Sequence, residues 1–294
     1  MSRGNIIMRY EFLRFPGGKP KAVTFSYDDG CRDDIRLAQI ANSYGIKCTF
    51  NINSGFIAKN PNEWHLTADE IKKYIIDAGN EIAVHGEYHR APGKQRAIEG
   101  IKDVLNCRIG LEDLFGGIIR GMAYPDTGIR DFHNNASYEN IRGYLKDLGI
   151  VYSRSLGADN NSFALPTDWY NWIPTAHHNN ENIMAYIDKF IGKQGSYCAA
   201  RTPWLFYLWG HSYEFGNAGN WEHLENICKK LSNRDDVWYA TNIEIYDYVN
   251  AYNSLIHSAD GSVVYNPTLC DVWFDIDETE YCVKSGETIK IAIK

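Results

Sequence analysis

The chain has 294 residues, enough for one large α/β barrel or for two ordinary domains with ample core. With 30 basic against 37 acidic residues its formal charge is -7 and no polybasic block appears, which argues against a nucleic-acid or anionic-membrane partner and suits a neutral substrate. Seven scattered cysteines without a Cys-x-x-Cys pair indicate neither a disulfide framework nor a zinc ribbon, and no window approaches the roughly 18 apolar residues of a membrane span.

In chain order, Met1-Ser2-Arg3-Gly4-Asn5 lacks a continuous apolar leader. With cysteines suited to a reducing compartment, a cytoplasmic location is expected; a leader already removed would leave the same picture. The first informative stretch is Ala22-Val23-Thr24-Phe25-Ser26-Tyr27-Asp28-Asp29-Gly30, a strand-like run ending in two carboxylates and a glycine. Adjacent aspartates repel unless a cation, a hydrogen-bond network or a proton absorbs the charge, so a site is the economical reading. A helix over 33–44 and a strand over 47–52 follow. Thr67 opens a helix that stops at Gly79, and Glu70 completes a capping box with it. A strand over 81–85 ends in a second cluster, His85-Gly86-Glu87-Tyr88-His89.

Then come a helix over 95–114, a strand over 118–124, a helix over 138–148 and strands over 150–155 and 169–175. A helix over 181–191, a strand over 204–211, a helix over 221–231, a strand over 237–240 and a helix over 243–255 complete the series. From about 257 the pattern changes to short alternating strands over 262–265, 271–277, 280–283 and 288–293, too little to hold a core alone.

Seven or eight βα units in roughly 250 residues predict an α/β fold, a distorted (β/α)7–8 barrel over 1–256, with a small β appendage over 257–294 packed on it. No glycine-rich dinucleotide fingerprint follows the first strand. Chemistry in a barrel gathers where strands end. Asp28, Asp29, His85, Tyr124 and His211 all fall at such ends, which predicts one shared site.

Asp29, His85 and His89 supply the carboxylate and two imidazoles that a divalent transition metal takes in a compact arrangement with open positions. Asp28, beside a ligand, is free to act as base on a water whose pKa the cation lowers; its alternative role is to cap the following loop. His211 is placed to act as general acid, or else is a satisfied structural residue. His177 and His178 also lie at a strand end, where alternation points them apart, so at most one should face the site.

Taken together, these residues resemble the polysaccharide deacetylase family, the NodB-homology carbohydrate esterases of family four. Ser26-Tyr27-Asp28-Asp29-Gly30 is similar to that family's first motif, Thr-Phe-Asp-Asp-Gly, and His85 to His89 matches its His-x-x-x-His motif. Leu208-Trp209-Gly210-His211 is similar to its Leu-x-x-His motif, and Tyr124-Pro125 lies where the family carries Arg-x-Pro-Tyr. The likeness runs in motif order over about residues 20–250.

It implies that Asp28 is the base, that His211 is the acid and that Asp29, His85 and His89 hold one divalent ion. Zinc is expected, with cobalt, nickel and manganese as alternatives. It also implies hydrolysis of an N- or O-acetyl group on an acetylated carbohydrate, with Tyr124, Pro125, Trp169 and Trp209 against the substrate. Asp168-Trp169 looks like the fourth motif, in which Asp pairs with the acid His and Trp lines the acetyl pocket; a loop Asp and a core Trp is the plain alternative.

Two departures stand out. Ala123 occupies the position of the family's third-motif Arg, which orients the base. Arg154, at the next strand end, is expected to supply the guanidinium, with Arg120 as the other candidate. Asp126 stands at that motif's Tyr, which keeps a backbone N–H for an oxyanion but alters the aromatic wall. Two further readings compete: a sugar-binding or regulatory homologue with a decayed site, and a non-haem iron oxygenase. The close pair of histidines on a βα scaffold disfavours the oxygenase. The glycan and the oligomeric state are not written in the sequence.

Overall fold

The computed structural model describes residues 10–156, 162–192 and 201–291. Strand β1 (Glu11–Arg14) leads into β2 (Lys21–Asp28), all eight residues of which are buried. A strand covered on both faces belongs to a parallel sheet wrapped in helices. Around it lie β3 (Cys48–Ile52), β4 (Glu81–Val84), β5 (Gly121–Ala123), β6 (Tyr152–Arg154), β7 (Ala176–His177), β8 (Trp204–Gly210) and β9 (Val237–Tyr239). They are parallel in the order β6-β5-β4-β3-β2-β8-β7, and β9 also pairs with β2. One edge of β2 is divided: Lys21 to Val23 face β9, and Phe25 to Asp28 face β3.

The sheet curls into a distorted barrel, the fold class expected. One segment bridges its seam, because Trp172 forms a parallel bridge with Arg154 of β6 and Ala176 pairs with Leu208 of β8. The strand expected over 169–175 is instead a single turn at Trp169–Asn171, that one bridge, and the two-residue β7. Pro174, with no N–H to give, interrupts the ladder between the two contacts.

The helices α1 (Asp33–Ser43), α2 (Ala68–Ile71), α3 (Ala97–Phe115), α4 (Tyr138–Asp147), α5 (Ile183–Ile191), α6 (Ser212–Ala218), α7 (Trp221–Leu231) and α8 (Asn242–Asn253) cover the barrel. Thr67 and Glu70 form the expected capping box on α2, but regular α geometry stops at Ile71 and a π turn carries the chain over Lys72–Ile76. Outward residues Val23, Phe25, Tyr27 and Phe50 pack with Leu37, Val104 and Leu224 of the helices. Inward residues Ala22, Leu205, Tyr207, Tyr152 and Trp172 pack with Ile245 and Tyr248 of α8. That second cluster closes the barrel toward the start of its strands, so the interior opens where they end.

Beyond α8 lie β10 (Ile256–His257), β11 (Val263–Tyr265), β12 (Val272–Ile276), β13 (Thr279–Val283) and β14 (Thr288–Lys290). They form two antiparallel sheets, β10-β11-β14 and β1-β12-β13, around Val264, Phe274, Val283 and Ile291. The appendage thus takes in a strand from the other end of the chain. The Tyr248 hydroxyl of α8 clamps the joint, accepting from the Trp273 N–H at 2.9 Å and donating to the Arg14 carbonyl at 2.8 Å. Among the described residues no helix is long and apolar enough to cross a membrane.

Candidate metal centre and active site

Asp28 ends β2 on the inner face of the barrel and is 1% exposed. The backbone then turns left-handed at Asp29 (φ +83°) and Gly30 (φ +64°). A side-chain-bearing residue holds such a conformation only where its surroundings enforce it. Asn51 Nδ2 donates to Asp28 Oδ1 at 2.8 Å, and Arg154 Nη2 donates to Oδ2 at 2.5 Å. Arg120 points elsewhere, to Asp247 at 2.6 Å. Arg154 is fully buried, with its guanidinium 4.6 Å from the centre of the Trp209 ring, where a cation on an aromatic face is favourable. Burial pushes the Asp28 carboxyl up, but Arg154, His85 and His211 together hold it below its ordinary value.

His85 follows β4. Its Nδ1 lies 2.9 Å from the Ala123 carbonyl, and since only an N–H can pair with a carbonyl, Nδ1 carries a hydrogen and Nε2 is the ring atom left to face the site. That buried nitrogen has no hydrogen-bond partner among the described residues and lies 3.5 Å from Asp29 Oδ1. His89 Nε2 approaches the same oxygen at 3.3 Å. The loop between the histidines doubles back through left-handed Gly86 (φ +74°) and His89 (φ +56°). A Cβ on Gly86 would lie 2.4 Å from Asp103 Oδ2, so glycine is required there twice over. Burial, followed by His85, holds His89 below its ordinary pKa and therefore neutral. An orphaned buried imidazole nitrogen, a second, neutral imidazole and a carboxylate, converging within 4.8 Å, fit a divalent ion.

His211 follows β8 and sets its Nε2 3.9 Å from Asp28 Oδ2. Its Nδ1 lies 3.0 Å from Glu214 Oε1 in the first turn of α6. Glu214 Oε2 faces Asn179 Nδ2 at 2.7 Å, His178 Nε2 at 3.0 Å and His177 Nε2 at 3.4 Å. Burial pushes Glu214 up, yet bonds from His178 and His211 hold it well below the carboxylate range. Burial alone would lower His211, but Glu214 and Asp28 outweigh it and raise its pKa, favouring the imidazolium.

Both adjacent histidines therefore reach one carboxylate, contrary to the expected divergence. Strand alternation ends with β7 at His177, and the chain turns at His178.

The fourth-motif assignment needs correction. Asp168 does not meet His211: it caps the turn at the Tyr170 N–H (3.0 Å) and accepts from the Tyr138 hydroxyl at 2.5 Å. Trp169 packs edge-on against Trp172 and Tyr246 and does not line the cleft that His211 lines. The partner of His211 is Glu214. The sequence signal for it is His-x-x-Glu across a strand-to-helix junction, the spacing that places i and i+3 side by side.

Two clefts of about 430 Å³ each meet at His89. One is lined by Asp28, His85, Tyr124, Asp126, Trp209 and His211; the other includes Asp29, Asn53, Trp64 and Tyr88. Pro125 is not among the lining residues and sits beside Gly86. The Tyr124 N–H is engaged with the Arg154 carbonyl at 2.9 Å, whereas the Asp126 N–H makes no hydrogen bond among the described residues.

Residues 16–151 match the family described as polysaccharide deacetylase. That match takes in a little under half of the chain and includes Asp28, Asp29, His85 and His89. Solved structures extend the likeness to most of the chain. A candidate polysaccharide deacetylase from Mycobacterium smegmatis aligns at 17% identity and TM-score 0.54, over 82% of this chain and 94% of that one. The Xyl-CE4 domain of a multidomain xylanase from the hindgut metagenome of Trinervitermes trinervoides aligns at 15% and 0.52, over 79% and 92%. A mutant of a CE4 family pseudoenzyme from Bacillus anthracis, with restored enzymatic activity, aligns at 14% and 0.50, over 80% and 70%. At these identities the fold is what is shared. None of the curated proteins matches the chain in sequence.

Proposed function

We propose that this chain is a member of the polysaccharide deacetylase family and an active metal-dependent hydrolase that removes acetyl groups from a carbohydrate. One observation carries the reading. A buried carboxylate, Asp28, is fixed by Arg154 and Asn51 beside the Asp29, His85 and His89 set, with His211 across the cleft. A decayed site would have no need to replace the arginine missing at Ala123, and Arg154 fills its place.

Asp29, His85 and His89 would hold the ion. When bound, a divalent ion supplies Lewis acidity to the attacking water and to the acyl oxygen. Asp28 takes the proton of the water, and Arg154 keeps that carboxylate ionised and aimed. The ionised Glu214 can only accept, so His211 gives it the Nδ1–H and turns Nε2–H to the cleft. From there the proton passes to the departing amine or alcohol. The Asp126 N–H, in the wall of the same cleft, is the backbone donor available to an oxyanion.

The test is acetate release from N-acetylglucosamine oligomers, acetylated xylan and small acetamides, using protein stripped of metal and reloaded with zinc, cobalt, nickel or manganese. Release that depends on the added ion supports the reading. No release from any of them by fully loaded protein would favour a sugar-binding homologue without turnover.

A further inference from the structure

Helix α3 carries a second apolar face that the barrel does not use. Its inner side belongs to the fold: Val104, Cys107 and Leu111 enter the core, and Asp103 holds the histidine loop by accepting from the N–H groups of Glu87 and Tyr88. The outer side is not the polar surface that a helix on a barrel should show. Ile98 is 65% exposed, Leu105 37% and Ile109 46%, and Ile118, just past the Gly116 cap, is 81% exposed. At about 100° per residue, Ile98, Leu105 and Ile109 fall within a sector of ~40°. Exposed apolar residues are ordinary one at a time, but a line of them at coiled-coil spacing is a contact surface that wants a partner.

The charges on the same helix select that partner. Glu99 pairs with Arg96 and Arg108 with Glu112, while Asp103 is buried against the histidine loop. Lys102 and Asp113 remain, both exposed and neither in an ion pair among the described residues. They stand on one flank of the apolar line, nearly equidistant from Cys107, which lies midway between Leu105 and Ile109. A second α3 laid antiparallel about a two-fold axis at Cys107 therefore sets Leu105 against the partner's Ile109 and Lys102 against the partner's Asp113. Ile98 comes to the partner's Ile118. Symmetry makes each of these contacts twice. A parallel pair would instead oppose Lys102 to Lys102 and Asp113 to Asp113, like charge to like.

We infer that α3 is a self-association face, through which two copies of this chain pair antiparallel with an apolar seam flanked by two Lys102–Asp113 ion pairs. The inference is independent of the deacetylase reading.

Sedimentation velocity on the full chain, from micromolar to sub-millimolar concentration, tests it. Wild type should pass from the mass of one chain to twice that mass as concentration rises. Leu105→Glu puts a carboxylate into the seam at two symmetric places and should weaken the dimer roughly ten-fold or more. Circular dichroism checks that this exposed position leaves the fold intact; should the variant fail to fold, the charge swap decides alone. Lys102→Asp and Asp113→Lys should each weaken association, because each opposes like charges across the axis. The double variant Lys102→Asp, Asp113→Lys should recover the wild-type affinity. Wild type that stays monomeric throughout overturns the inference and leaves the stripe to some other protein or surface. A dimer indifferent to Leu105→Glu, or a double variant no better than the single ones, overturns it equally.

Discussion

Glu214 holds His211 by Nδ1 and is itself held by Asn179, His177 and His178, so the charge that favours the imidazolium sits on a carboxylate that cannot swing away. If His211 is the acid, as proposed, it must be protonated to act, so activity should fall as pH rises through the His211 pKa, which its partners raise. Glu214→Gln removes the negative charge, and the alkaline limb of the kcat/KM profile should move to lower pH, with partial return in Glu214→Asp. An unmoved limb would mean that Glu214 does not act through His211. Arg154→Met should retain zinc but cost about a hundred-fold or more in rate. It should also cost ~3–5 kcal/mol of stability, because a buried carboxylate loses its partner; urea denaturation with parallel zinc analysis measures both. Arg154 was legible in the sequence because a strand end next to the site is a place where a guanidinium can reach. Glu214 was not, since a helix-start glutamate reads as ordinary, and Asp168 stood in for it only through motif order.

At the scale of elements, the chemistry-bearing residues lie where regular structure is abandoned. Asp29, Gly86 and His89 all have left-handed backbone, so the two halves of the proposed metal set depend on turns that most residues resist. Gly86→Ala meets both a disfavoured φ and the Asp103 carboxylate. It should lower Tm and weaken zinc affinity together, as followed by competition with a chelating dye; unchanged affinity would show that the loop is not what sets the ligands. Long periodic elements were readable, as with the Thr67 capping box, where local chemistry decides the outcome. The 169–175 segment was not, because two partners on either side of a seam shape it more than its own β-branched and aromatic residues do.

For the whole molecule, the sequence announced a barrel through its βα alternation but could not show that β1 crosses to the far end of the chain to pair with β12. Residue pairs so distant in sequence leave no local pattern. We propose that barrel and appendage behave as one cooperative unit, joined through β1 and the Tyr248 hydroxyl. Calorimetry should then give a single transition, and two separated transitions would contradict it.

The central claim is that Asp28, held by Arg154 beside a metal set, is the base of a deacetylase. The most direct test compares acetate release by wild type and Asp28→Asn at equal, measured zinc occupancy, on the acetylated substrate that wild type cleaves best. The account predicts turnover by wild type and a loss of roughly 10²–10⁴-fold in the variant with its zinc retained. Equal rates from the two zinc-loaded proteins, or no acetate from either, would contradict it.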